Sequence, residues 1–135
     1  MIGVVLVGHG DLAQAMVRTV EMIVGTQKSF TAVGLEPSDG LADIQQKIEQ
    51  AVQRVEGKVG VLVLTDMLGG SPSIASLQVA QRNRMEVVTG MNLTMALEAL
   101  LHREESSSLS KLAELVVRKS RKGVLRASAL SPKSS

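Results

Sequence analysis

The sequence predicts a doubly wound α/β domain, a mainly parallel sheet with helices on both faces. Three observations predict it. Apolar runs too short for helices recur at residues 2–7 and 59–64, with a short strand-like segment at 85–89. Between them lie segments whose apolar residues keep helical spacing. Strand and helix alternate four times with short connections, which requires parallel strands joined by right-handed crossovers. A chain of 135 residues fits one such domain and leaves little room for a second.

Taken in order, residues 2–7 read as a buried strand. Asp11 can cap the helix that follows, where Leu12, Ala15, Met16, Val20 and Ile23 share a face and Gly25 is a natural stop. Residues 30–35 alternate as a second strand. Pro37, Ser38 and Asp39 start a helix with Leu41, Ile44, Ile48, Val52 and Val55 on one side, ended by Gly57. Residues 59–64 form a third buried strand, and the glycine-rich "TDMLGGSPS" leads into a helix with Ser71 as N-cap and Pro72 as first helical residue. After a fourth strand at 85–89, Asn92 caps a helix through Leu101, and "REESSS" is a polar connector to a last helix from about Leu109 to Lys122. Gly123 breaks that helix before a short strand at 124–126. Residues 1–130 are expected to form the domain and 131–135 a disordered tail.

Composition removes several classes of function. The chain has no cysteine, so disulfides and thiolate metal sites are out. Phe30 is the only aromatic residue, which argues against stacking nucleic acid bases on exposed rings. No stretch approaches the roughly 18 apolar residues of a membrane span, and Met1 leads directly into a strand without a basic flank, so a cytoplasmic location is expected. The net charge of +2 hides an asymmetry: Arg118, Lys119, Arg121, Lys122, Arg126 and Lys133 follow Val117 with no acid among them. They read as a solvated helix end that suits the dipole, rather than as a nucleic acid surface.

In a doubly wound sheet ligands sit beyond the carboxyl ends of the strands, where strand order reverses. The loops leaving the first and third strands are therefore the candidate sites. In "VVLVGHGDLAQA" the first strand ends at Gly8-His9-Gly10, with a histidine at the apex of a sharp turn. Gly8, Gly10 and Ala13 also satisfy a dinucleotide fingerprint, with Glu36 placed as its ribose-binding acid. Against that reading, the chain is short for a second mononucleotide half, the imidazole would crowd a pyrophosphate, and the second glycine-rich loop would be unused. His102, in the last turn of a helix, is read as a partner of the helix dipole.

Asp66 stands at the end of the third strand, and faces His9 if that strand lies beside the first. A carboxylate that accepts one ring N–H fixes the tautomer and leaves the other nitrogen nucleophilic. Gly10, Gly69, Gly70 and Ser71 are the candidate phosphoryl-binding residues: glycines permit close backbone approach, and a helix starting near Ser71 offers N–H groups to an anion. Ser71 as a hydrolase nucleophile fails, because Pro72 has no N–H to give an oxyanion. No P-loop lysine, magnesium-binding carboxylate cluster or zinc ligand set is present, so neither a metal nor another cofactor is expected. Phosphoryl transfer through a phosphohistidine follows.

These residues resemble those of the enzyme IIA proteins of the mannose family of the bacterial phosphoenolpyruvate-dependent sugar phosphotransferase system. The resemblance rests on the "GHG" turn, "TDMLGGSPS", "VVTGMNLTMALEAL" and the "KGV" ending. It implies that His9 accepts a phosphoryl group from the phosphocarrier protein HPr and passes it to an enzyme IIB partner, with Asp66 as the acidic partner of the histidine. It further implies a homodimer that exchanges an antiparallel C-terminal strand, for which residues 123–127 are the candidate, and membrane contact only through a transporter complex. The chain departs from the family pattern at Gly8, where Thr or Ser is common, at Ile74, where Asn is usual, and at Thr94, where Pro is common. Two alternatives stand beside this reading: a regulatory module whose His9 phosphorylation controls a protein partner without sugar transport, and the small dinucleotide-binding domain.

Overall fold

Apolar runs that bury both sides of a strand need cover on both faces, and the fold supplies it. The computed structural model describes residues 1–130 except 56, 58, 68 and 82; the tail expected at 131–135 lies outside the described residues. The strands are β1 (Gly3–His9), β2 (Phe30–Leu35), β3 (Val61–Thr65) and β4 (Met85–Val88), and the helices α1 (Leu12–Val24), α2 (Leu41–Val55), α3 (Ser71–Ala80), α4 (Leu93–His102) and α5 (Leu109–Lys122). Among the described residues the strands form one sheet in the order β2-β1-β3-β4, all parallel. The chain winds from β1 to β2, then returns across β1 to β3. Strand order therefore reverses between β1 and β3, which meets the condition for Asp66 to face His9.

Alternate residues of each central strand enter different cores. Val4, Leu6, Leu62 and Leu64 pack with Val20, Ala96, Leu112 and Val116 of α1, α4 and α5. Val5, Val7, Val61 and Val63 pack with Ile48, Val52, Ala75 and Val79 of α2 and α3. All eight strand residues are fully buried, which at about 25 cal/mol per Å² of apolar area makes the two central strands the main source of stability.

Several local expectations change. Asp11 stands at the start of α1 but makes no side-chain cap bond. Asn92 and Ser108 do cap α4 and α5, accepting from the N–H groups of Met95 and Lys111. Helix α3 starts one residue earlier than expected, with Gly70 as its extended N-cap and Ser71 already helical. The Gly70 carbonyl receives the N–H groups of Ser73 and Ile74, and so opens the helix ahead of the serine.

Arg103, expected in a polar connector, is 3% exposed. Its guanidinium donates to the carbonyls of Ile2 (3.3 Å), Ser29 (3.0 Å) and Lys28 (2.6 Å), joining the entries of β1 and β2. Residues 124–126 form no strand in the single chain, and a 3-10 turn at Ala127–Ala129 follows. A strand requires a hydrogen-bonding neighbour, and this segment has none here. No helix among the described residues is long and apolar enough to cross a membrane.

Candidate functional site

The pairing of β1 with β3 ends at Val7 and Thr65; β1 runs on beside β2 as far as His9, while β3 ends and the chain turns away at Asp66. The Asp66 carboxylate meets His9 there. Its Oδ2 accepts both the His9 backbone N–H (2.9 Å) and the ring Nδ1 (2.7 Å). The Asp66 side chain is 10% exposed and that of His9 56%. Burial works to raise the Asp66 pKa, but hydrogen bonds from the His9 backbone and ring and the Met67 backbone outweigh it and hold the carboxyl below its ordinary value. An anionic oxygen at 2.7 Å assigns the proton to Nδ1, which leaves a lone pair on Nε2.

The turn around His9 depends on its neighbours. Gly10 adopts the left-handed conformation (φ 58°) and donates its N–H to Leu35 at the end of β2 (3.0 Å). Gly34 lets β2 come this close, since a Cβ there would lie 2.7 Å from the Gly10 oxygen.

On the other side stands the amino end of α3. A Cβ on Gly70 would lie 3.5 Å from His9 Cε1, the carbon between the two ring nitrogens, so the imidazole stands beside the helix entrance. Free N–H groups and the dipole there favour a negatively charged group.

The four residues expected to bind a phosphoryl group divide into two kinds. The amides of Gly70 and Ser71 have no partner among the described residues, and Ser71 is exposed. Those of Gly10 and Gly69 are engaged: the Gly69 N–H donates to Ser73 Oγ (3.1 Å), which in turn donates to the Gly70 carbonyl (3.0 Å). Gly10 and Gly69 (φ 82°) therefore contribute backbone conformation rather than donors. Ser73 was not singled out in the sequence. The available signal was a hydroxyl three and four residues after a glycine pair, the spacing of a local side-chain to backbone bond.

Gly8 is buried, yet a Cβ there would make only ordinary contacts, 3.5 Å from Asp66 Oδ2, so the position has room for a small side chain. Ile74 is 45% exposed in the first turn of α3. Thr94 lies against Gly123, with its Oγ1 at 3.8 Å from a Cβ position there. His102 is remote in role, pairing with Glu98 (3.0 Å) and Glu105 (3.7 Å) on its own side of α4. Among the described residues no group of three or more His, Asp or Glu is placed to hold a metal ion.

A histidine with one nitrogen held by a carboxylate and the other open to solvent, beside a helix entrance, is equipped to take and release an anionic group. The family model for the fructose IIA component of the phosphotransferase system, EIIA-man, matches residues 3–117. The chain belongs to the EIIA-man family. Among relatives, the fructose-specific EIIA component of Bacillus subtilis strain 168 is 35% identical over 105 residues, 77% of this chain and 72% of that protein. The mannose-specific EIIAB component of Escherichia coli strain K12 is 32% identical over 124 residues; the match takes in 91% of this chain but spans only 38% of the length of that protein. Among solved structures, the phosphotransferase system component EIIA from Streptococcus agalactiae superposes with a TM-score of 0.88 at 26% identity, covering 96% of this chain and all of the other. The mannose/sorbose-specific IIA subunit from Enterococcus faecalis gives 0.83 at 28% identity, with 92% of each chain covered. In the "GHG" turn Gly10 supplies the left-handed backbone after the histidine and spends its amide on β2.

Proposed function

We propose that this protein is a phosphohistidine carrier of a sugar phosphotransferase system, with His9 as acceptor and donor. The observation that carries the reading is the Asp66–His9 pair, which holds the proton on Nδ1 and, on a half-exposed side chain, leaves Nε2 without a protein partner among the described residues. The Nε2 lone pair attacks the phosphorus of a phosphorylated histidine on HPr. The new N–P bond forms as the N–P bond to the donor imidazole breaks, and that imidazole keeps the electron pair. The His9 ring becomes a cationic N-phosphoimidazole, which the Asp66 carboxylate neutralises through Nδ1–H, while the amides of Gly70 and Ser71 receive the phosphoryl oxygens. The same step in reverse delivers the group to an enzyme IIB protein.

Residues 1–130 are the carrier domain in this reading, and its place is the cytoplasm, where HPr would meet it. Homodimerisation is part of it too. β4 is an edge strand, and Val124 and Leu125 are 76% and 63% exposed in the single chain; an exchanged strand over residues 123–127 would cover both.

The test is intact-mass analysis after incubation with phosphoenolpyruvate, enzyme I and HPr. The expected result is one acid-labile phosphoryl group on the wild type and none on His9→Ala. Acid-labile phosphate retained by the variant would remove His9 from the mechanism.

A further inference from the structure

The glycine loop beside His9 is fastened by a side chain outside the reacting pair. Ser73 is 1% exposed, and its hydroxyl is used on both sides, accepting from the Gly69 N–H and donating to the Gly70 carbonyl. That carbonyl also receives the N–H groups of Ser73 and Ile74, each at 3.1 Å. Three donors on one oxygen fix the plane of the Gly70–Ser71 peptide. The peptide is trans, so the Ser71 N–H points opposite to the carbonyl, out of the helix entrance, and a Cβ on Gly70 would stand 3.5 Å from His9 Cε1.

We propose that Ser73 is a positioning residue for phosphoryl transfer, holding the Gly69–Gly70 loop so that the Gly70 and Ser71 amides stay aimed at the phosphoryl group on His9. This deepens the carrier reading and rests on it. Gly69 needs the restraint: it sits at φ 82° with nothing within 4 Å of its Cβ position, and a glycine pair has the widest conformational range available to a chain. Ser73 forms and breaks no covalent bond. Its effect comes through donors that stabilise charge only when correctly placed, where a displacement of about 1 Å costs orders of magnitude in rate. Alanine at position 73 keeps the helix bonds from the backbone N–H groups of residues 73 and 74, and removes the two bonds of the hydroxyl, the tie to Gly69 and the third donor on the Gly70 carbonyl.

The experiment compares wild type, Ser73→Ala and Ser73→Thr in rapid-quench phosphorylation by phospho-HPr over a range of HPr concentrations, with amide NMR of each protein. For Ser73→Ala the saturated rate falls about tenfold with KM for HPr unchanged. The Gly69 amide exchanges faster, and the Ser71 amide loses its downfield shift on phosphorylation. Ser73→Thr, which keeps the hydroxyl, recovers most of the rate. A Ser73→Ala protein that transfers at the wild-type rate with its Gly69 amide released overturns the proposal. So does a rate loss accompanied by melting of α3, which would make Ser73 merely structural. Should the threonine variant not fold, the alanine variant alone decides between these outcomes. Wild type that takes up no phosphoryl group fails the carrier reading as well, and does so before any Ser73 variant is made.

Discussion

At the carboxyl end of the sheet His9 gives Asp66 two hydrogen bonds and keeps one ring nitrogen in solvent; at the amino end Arg103 is buried and donates to three main-chain carbonyls. Both join neighbouring strands of the same sheet. Arg103 has its charge enclosed by acceptors and no room for an incoming group, so it can only hold β1 and β2 together. His9 is half satisfied by design of its surroundings, and the unused valence is what reaction chemistry requires. A polar residue at a sheet end is thus read by what it leaves unbonded, more than by its type.

The contrast can be broken at either end. The largest effect is expected from His9→Ala, with loss of phosphoryl uptake by intact mass and a change in unfolding free energy under about 1 kcal/mol, since the ring is mostly solvated. Arg103→Met should do the opposite. Three carbonyls lose their donor in a buried place, and urea unfolding should show a loss of about 3 kcal/mol while the rate of phosphorylation stays at the wild-type value. An Arg103 variant of normal stability would reduce the clamp to an incidental contact.

Asp66→Asn should slow phosphorylation about a hundredfold, the scale of a lost proton-holding partner, while the fold persists in circular dichroism. An amide cannot neutralise the imidazolium, and with its NH2 turned to the ring it would leave the proton on Nε2, the nitrogen meant to attack. The smallest effect sharpens the comparison through pH. Asp66 binds its proton at lower pH when folded than when unfolded, so its share of stability is complete above the ordinary carboxylate range. That share is lost as pH falls through the lowered folded value. Acid titration of stability should be steeper in that window for wild type than for Asp66→Asn; identical curves would mean that the His9 bonds do not act on the carboxyl.

The alternation of apolar runs and helical faces predicted a doubly wound sheet, and if its order reverses between the first and third strands, residues 9 and 66 come together, as they do. Local chemistry was legible where a cap bonds three residues away, as at Asn92. It failed where the deciding partner is distant in sequence. Nothing near Arg103 announces carbonyls at positions 2, 28 and 29, so its charge read as solvated. It also failed where one group competes for another: the spacing of "GGSPS" shows amides close to an anion site but not that the Ser73 hydroxyl takes the first of them. Gly10 is a similar case, since its amide is committed to Leu35 only once β2 lies alongside.

A single oxygen, Asp66 Oδ2, holds both the amide and the ring of His9. Main chain and side chain of one residue are thereby tied to a common point, and rotation about the bonds between them is largely removed. The entropy of ordering the imidazole, of the order of 1 kcal/mol for a side chain, is then spent once, when the chain folds. In the proposed carrier each transfer would begin with the imidazole already oriented, and the gain would be equal in accepting and in giving.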